Sequence, residues 1–267
     1  MKKIFAIAIV IALIFLIGNV ITVVFEKYQC SRMLEAIESN NMEQLRNAAE
    51  SGDPNSTLGI SWLEGLLLIE FSRQTPLQAA CEKGDFEMVK ILVENGADVN
   101  YRPMNAHHPA LNYAVDSDSE ETLDIVRYLI KNGVDADPIK RPTKSPVYKL
   151  LNTKELPPNG MEILKELINA GAGLEGSYIA FYWGHDEVIQ YLIEDCGLEV
   201  RDYLYMYLYC RDFDKYSYEI FELMMQHGAS PYAKDEDGEC GMDHLEKVSP
   251  EWAETVAEMA KEYGFEG

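Results

Sequence analysis

The run of apolar and polar positions divides the chain into two unlike parts. From Ile4 to Phe25 no residue is charged, only Asn19 and Thr22 are polar, and Lys2 and Lys3 stand just ahead. A helix of that length rises roughly 33 Å, enough to cross the hydrocarbon core of a bilayer. Beyond it, apolar residues recur at helical spacing in short runs closed by glycine, most clearly in TPLQAACEKGDFEMVKILVENGADVN, Thr75 to Asn100. Thr75 can cap a short helix that begins at Pro76, where a missing N–H costs nothing. Leu77 and Ala80 then face inward, and Gly84-Asp85 makes a turn. Phe86, Val89, Ile91, Leu92 and Val93 give a second helix a broad apolar face, and Gly96 ends it in the left-handed conformation that glycine tolerates. One such pair cannot cover its own apolar side, so the pattern predicts neighbours of the same kind.

The neighbours are present. Candidate helix-ending glycines fall at Gly52, Gly96, Gly133, Gly171, Gly197 and Gly228, a mean step of about 35 residues. PALNYAV with IVRYLIKNGVDAD is a second copy, with Asp116 to Glu121 in a widened turn; SPVYKLL leads into a third that ends at Gly173. SYIAFYWGHDEVIQYLIEDCGLEV keeps Ala180 and the Gly184-His185 turn, Tyr203 to Pro231 is weaker, DEDGECGMDHLEKV with a last helix from Trp252 to Tyr263 closes the series, and Arg32 to Asn55 reads as a degenerate opening repeat. The TPL start, the AA pair, the GDFEMVKILV helix and the NGADVN finish resemble the ankyrin repeat, a unit of about 33 residues built as a turn and two antiparallel helices. The resemblance implies an all-α, ankyrin-type helical solenoid of about five to seven degenerate repeats. It is preceded by one transmembrane helix. The expected organisation is a short tail at 1–3, an anchor helix at 4–25, and a repeat domain at 32–267 with an apolar insertion at 57–71.

The start of the chain also meets the description of a cleaved secretory signal, which would leave an exported soluble binder. No A-x-A-like site follows, however, and Ile21, Val23, Val24 and Phe25 prolong the apolar run, which favours an uncleaved anchor. Lys2 and Lys3 on one side nearly balance Lys27 and Arg32 on the other. The short N-terminal tail tips the expected orientation toward a cytoplasmic N-terminus, with the repeats on the periplasmic or extracellular side.

Function in such a fold is sought where the repeat is broken. The insertion TLGISWLEGLLLIEF carries Trp62 among eight other apolar residues, too short to span a membrane and too apolar for an open loop. It reads either as an extra packed helix or as a surface for a partner or a membrane interface. In the family the first helix of each repeat lines the concave side, which implies that Tyr113, Tyr148, Tyr178, Tyr182 and Trp183 lie on or near that surface. Tyr182 and Trp183 align with Glu82 and Lys83, polar positions in the strongest copy, and so are expected to be exposed. Rings of this kind either anchor a protein partner or fill the cores of weak repeats. In YLYMYLYCRDF, Tyr203 and Tyr207 share one helical face and Tyr205 and Tyr209 another, so one pair should point outward. DADPIKRPTKSP holds the basic island of Lys140, Arg141 and Lys144, a finger suited to an acidic partner segment or a solvated loop.

Charge narrows the partner. The formal net charge is −22, and with Lys2 and Lys3 set aside the part after Phe25 carries −24. Nucleic acid is excluded as a partner by repulsion, and a basic protein is the natural complement, as for an inhibitor or immunity factor, although acidity also serves solubility. Five cysteines at irregular spacings match neither a disulfide framework nor a CxxC zinc site. The sequence has no HExxH, GxSxG, P-loop or GxGxxG pattern. Asp235, Asp237, Glu239 and Glu246 mimic a calcium loop, but Cys240 replaces its required glycine, and Cys240 with His244 supplies only two metal ligands. A metal-dependent hydrolase using the scattered histidines and carboxylates is therefore the weaker alternative. The expectation is a non-enzymatic, membrane-tethered protein-binding module with no cofactor, no metal and no small-molecule substrate.

Overall fold

The computed structural model describes residues 2–58, 74–102, 108–137, 140–201, 203–208, 216–234, 238 and 240–265. Trp62 and nearly all of the 57–71 insertion lie outside the described residues, as do His107, Tyr209, Asp235, Asp237 and Glu239. Two compact units are formed, Met1–Asp135 and Ala136–Gly267. Among the described residues every regular element is helical, apart from an antiparallel bridge between Lys234 and Cys240.

In the first unit, α1 (Lys2–Glu38) pairs with α2 (Met42–Ser51), α3 (Pro76–Lys83) with α4 (Phe86–Glu94), and α5 (Ala110–Val115) with α6 (Thr122–Lys131). First helices stack as α1, α3, α5 and second helices as α2, α4, α6. The strongest sequence copy forms as its residues dictate. Thr75 accepts from the Gln78 N–H at 3.1 Å while the Gln78 side chain accepts from the Thr75 N–H at 2.9 Å, a reciprocal box that satisfies two helix-end donors. Met88, Val89, Ile91 and Leu92 are buried, each contributing about 1.5–3 kcal/mol by removal from water. Phe86 stays half-exposed and meets the Tyr128 ring edge-on. Along the opposite margin, asparagines join one pair to the next. Asn55 donates to the Gly96 carbonyl and accepts from the Asp98 N–H, and Asn100 does the same with Gly133 and Asp135.

The expected helix-ending glycines at 96, 133, 171, 197 and 228 all have positive φ, between 68° and 95°. Gly52 departs from the expectation: its φ is −121°, ordinary extended backbone. Its lack of a side chain serves a close approach instead, since a Cβ there would sit 2.5 Å from the Gln29 Cβ of α1.

The apolar start and the opening repeat are one element. α1 runs unbroken from Lys2 to Glu38; Ile9 to Phe25 is exposed, whereas Cys30, Met33, Ala36 and Ile37 are buried against the repeat. The helix is long and apolar enough to cross a membrane, with a mean hydropathy of 2.6 over its most apolar 18 residues, none of them buried.

In the second unit, a short 3-10 turn (Pro142–Lys144) leads into α7 (Pro146–Leu151), paired with α8 (Gly160–Asn169). It is followed by α9 (Ile179–Trp183) with α10 (Asp186–Glu194), α11 (Leu204–Leu208), α12 (Tyr218–Gln226), and α13 (Gly241–Val248) with α14 (Pro250–Glu262). First helices α7, α9, α11 and α13 stack in order, and α10, α12 and α14 form the second row. The later repeats are filled with rings. Tyr207 is fully buried, its ring 5.1 Å from Phe221 and 5.8 Å from Tyr216, and Trp252 closes the cluster at 5.6 Å from Phe221. Tyr203, expected on the same face as Tyr207, is half-buried at 5.1 Å from Phe181, and Tyr205 is also half-buried.

Candidate functional site

In the second unit the chain builds an aromatic surface from helix starts upward. Ser145 accepts from the Tyr148 N–H at 3.1 Å and donates to the Pro142 carbonyl at 2.9 Å, which fixes the first turn of α7 and with it Tyr148. At the next first helix, Tyr178, which caps its start in a helical backbone conformation, and Tyr182 are four residues apart and share a face. The Tyr148 and Tyr178 rings meet at 5.8 Å, and loss of solvent, then the neighbouring Tyr148, holds the Tyr178 phenol above its ordinary pKa. Tyr182 and Trp183 pack edge to face at 5.3 Å, and the Trp183 Nε1–H donates to Asn152 Oδ1 at 3.2 Å.

All four rings are half-buried. That corrects the expectation that Tyr182 and Trp183 are exposed: mutual packing and the Asn152 bond lay them against the protein. An edge-to-face pair already held in place has little side-chain freedom left to lose on binding.

Lys140 and Arg141 are exposed and line a cleft of about 230 Å³ with Pro142 and Ser145. Asp137 and Glu175 line the same cleft, so it is not the purely basic finger that Lys140, Arg141 and Lys144 alone implied. Ser145 connects the two features, since it lines the cleft and caps the turn carrying Tyr148. Gly176 is part of this closeness: a Cβ there would lie 2.3 Å from Ser145 Oγ.

Tyr113 belongs to the first unit and is not grouped with these rings. It is half-buried, its ring 6.3 Å from that of His108, and burial followed by the charge of Glu82 raises its pKa. Glu82 lines a groove of about 500 Å³ between the end of α1 and α3, which the sequence did not disclose. Leu34, Ile37 and Ala79 form its apolar part, Glu35 and Glu38 add carboxylates, and Lys83 donates to the Ile37 carbonyl at 2.7 Å. The carboxylates come from two helices 40-odd residues apart, so no local motif announced them.

His185, expected at a polar turn, is buried and places Nε2 2.9 Å from the Thr153 carbonyl and 3.2 Å from that of Leu151, bracing the end of α7. Among the described residues no group of three or more His, Cys, Asp or Glu is arranged to hold a metal ion.

Residues 33–140 match the family model of ankyrin repeats, in three copies. These are ankyrin repeats. The ankyrin repeat domain of human ASB11, a crystal structure, is similar in fold: TM-score 0.62 at 19% identity, covering 84% of this chain and 96% of that one. The ankyrin fold thus extends well beyond the three copies that the sequence model matches. Comparison with curated proteins found no match. An ankyrin-repeat domain is an interaction scaffold, and it implies a protein partner.

Proposed function

We propose that the chain is a membrane-tethered ankyrin module that captures a protein partner on the half-exposed rings of Tyr148, Tyr178, Tyr182 and Trp183. The observation that carries this reading is their placement: four large amphipathic rings on successive first helices, each fixed by a neighbour. Aromatic anchors that a partner covers often cost about 2 kcal/mol or more when truncated to alanine. Residues 4–25 are the tether, with the N-terminus in the cytoplasm and the repeats across the membrane, where tethering raises the local concentration of the module. The −24 carried after Phe25 and the carboxylates of Glu35, Glu38 and Glu82 favour a basic partner, and inhibition or immunity toward such a protein is the role that fits. Lys140 and Arg141 are secondary contacts in this scheme; Tyr113 and Trp62, which belong to the first unit's stretch of the chain, are proposed as partner contacts in their own right, apart from these rings.

The test is cross-linking and capture from membranes with the full chain and with its Tyr182→Ala/Trp183→Ala form. A partner lost by at least tenfold in the double variant, and weakened by added salt, supports the scheme. Capture unaffected by the double variant removes these rings from the site, and capture unaffected by salt removes the basic partner.

A further inference from the structure

The tether and the repeat domain share one helix, and the spacing along it fixes where the domain's base must be. Ile4 to Phe25 spans roughly 33 Å, which just matches a hydrocarbon core of about 30 Å and leaves no spare turn, even with a tilt of about 20°. Gln29 and Cys30 are already buried in the opening repeat, at 5% and 0% exposure. Cys30 is five residues past Phe25, or about 7.5 Å along the axis. A head-group layer is about 5–8 Å deep on each side. The repeat therefore begins inside that layer.

Nothing between the two can bend freely. The last glycine of α1 is Gly18, no proline occurs in it, and the helix has no break between Phe25 and Glu38. The stretch after the apolar run is also clamped from the side. Glu26 accepts from the Asp53 N–H at 2.8 Å, Lys27 donates to the Thr57 carbonyl, and Cys30 approaches the Ser56 carbonyl at 3.4 Å. Gly52 closes against Gln29 without room for a methyl group. The loop 52–57 is thereby pinned to the first residues beyond the apolar run. Beside it Tyr28 is 59% exposed, with the Arg32 guanidinium 5.9 Å from its ring centre. A tyrosine at that depth is where aromatic rings favour the membrane interface.

We propose that α1 is a rigid mount that seats Tyr28 and the loop 52–57 in the phospholipid head-group layer, making the base of the opening repeat a lipid-contacting surface. The inference rests on residues 4–25 being a tether, and deepens that reading. The surface suits zwitterionic lipid, because a domain this acidic is repelled by anionic head groups while the outward ammonium groups of phosphatidylcholine attract it. The repeats are then held in one orientation to the membrane, not swung on a leash.

The test uses the full chain in phosphatidylcholine vesicles with a Tyr28→Trp substitution. Position 28 is exposed, and tryptophan keeps the ring facing Arg32. Lipid carrying a nitroxide on its head group should quench the added emission, relative to the unsubstituted chain, by at least twofold. Inserting six Gly/Ser residues between Phe25 and Glu26 should remove most of that quenching while the chain still floats with the vesicles. A chain that floats but is unquenched overturns the mount and leaves the tether standing, as does quenching that survives the insertion. A chain that does not float overturns both.

Discussion

Tyr207→Phe isolates one buried hydroxyl. The Tyr207 O–H donates to Asp186 Oδ1 at 3.0 Å and its oxygen accepts from the Ser217 N–H at 3.1 Å, so a single atom ties α10, α11 and the start of α12. Phenylalanine keeps the ring contacts with Phe221 and Tyr216. What is lost is one neutral hydrogen bond, about 1 kcal/mol, and one to a carboxylate, about 1.5 kcal/mol or more. Asp186 is half-buried, so water recovers part of its share. Ser217 is half-buried too, so water recovers only part of each bond. A net cost of about 2 kcal/mol follows, which is about thirtyfold in the equilibrium constant for local opening. Hydrogen exchange followed by mass spectrometry on the full chain reads this directly in the peptide covering 216–225. Protection there should fall about thirtyfold, with the 76–94 peptide unaffected. A loss below threefold would refute the assignment of a bridging role to the hydroxyl.

Other outcomes follow from single contacts. Thr75→Ala removes the cap and half of the reciprocal box, and should cost about 1 kcal/mol, read as faster exchange in 76–83. Gly52→Ala has no conformational penalty at φ −121°, so a loss of about 1–3 kcal/mol, seen as increased protease sensitivity of 42–51, would report the close contacts with the Gln29 side chain and the Ala48 carbonyl; an unchanged digest would show these contacts are slack. The Tyr191 phenol is pushed up to about 12 by burial and then by Cys196. Folded and unfolded forms both hold that proton below pH about 10, while between about 10 and 12 only the unfolded form releases it. Stability should fall across that window, and Tyr191→Phe should flatten the fall in a denaturation series against pH.

The repeat was legible where local chemistry decides structure. Thr75, Pro76 and Gln78 encode a helix start within four residues, and Gly96, Gly133, Gly171, Gly197 and Gly228 encode helix ends by their backbone freedom. Gly52 looked the same in the sequence but answers to a different constraint, because the atom it must avoid belongs to Gln29, 23 residues earlier. The aromatic surface was legible in position and not in burial. Tyr182 and Trp183 sit on the expected helix, but only the folded chain sets Asn152 beside the indole. Tyr207 and Tyr203 share a helical face in the sequence, yet only Tyr207 meets the Phe221 and Trp252 cluster. The groove lined by Glu35, Glu38 and Glu82 was out of reach for the same reason, since stacking of α1 on α3 creates it.

The asparagine bridges from Asn55 and Asn100 also bear on how such a chain can change length. Each side chain grips both a carbonyl and an N–H of the following turn, so one residue added inside a gripped turn would break two bonds. On the other margin, the Asp116–Glu121 turn already carries extra residues, and the neighbouring bridges are intact. Added length is therefore excluded inside the short turns that the asparagines join, at 52–55, 96–100 and 133–135, and admitted just outside them, as the 57–71 segment after Asn55 and the Asp116–Glu121 turn both show.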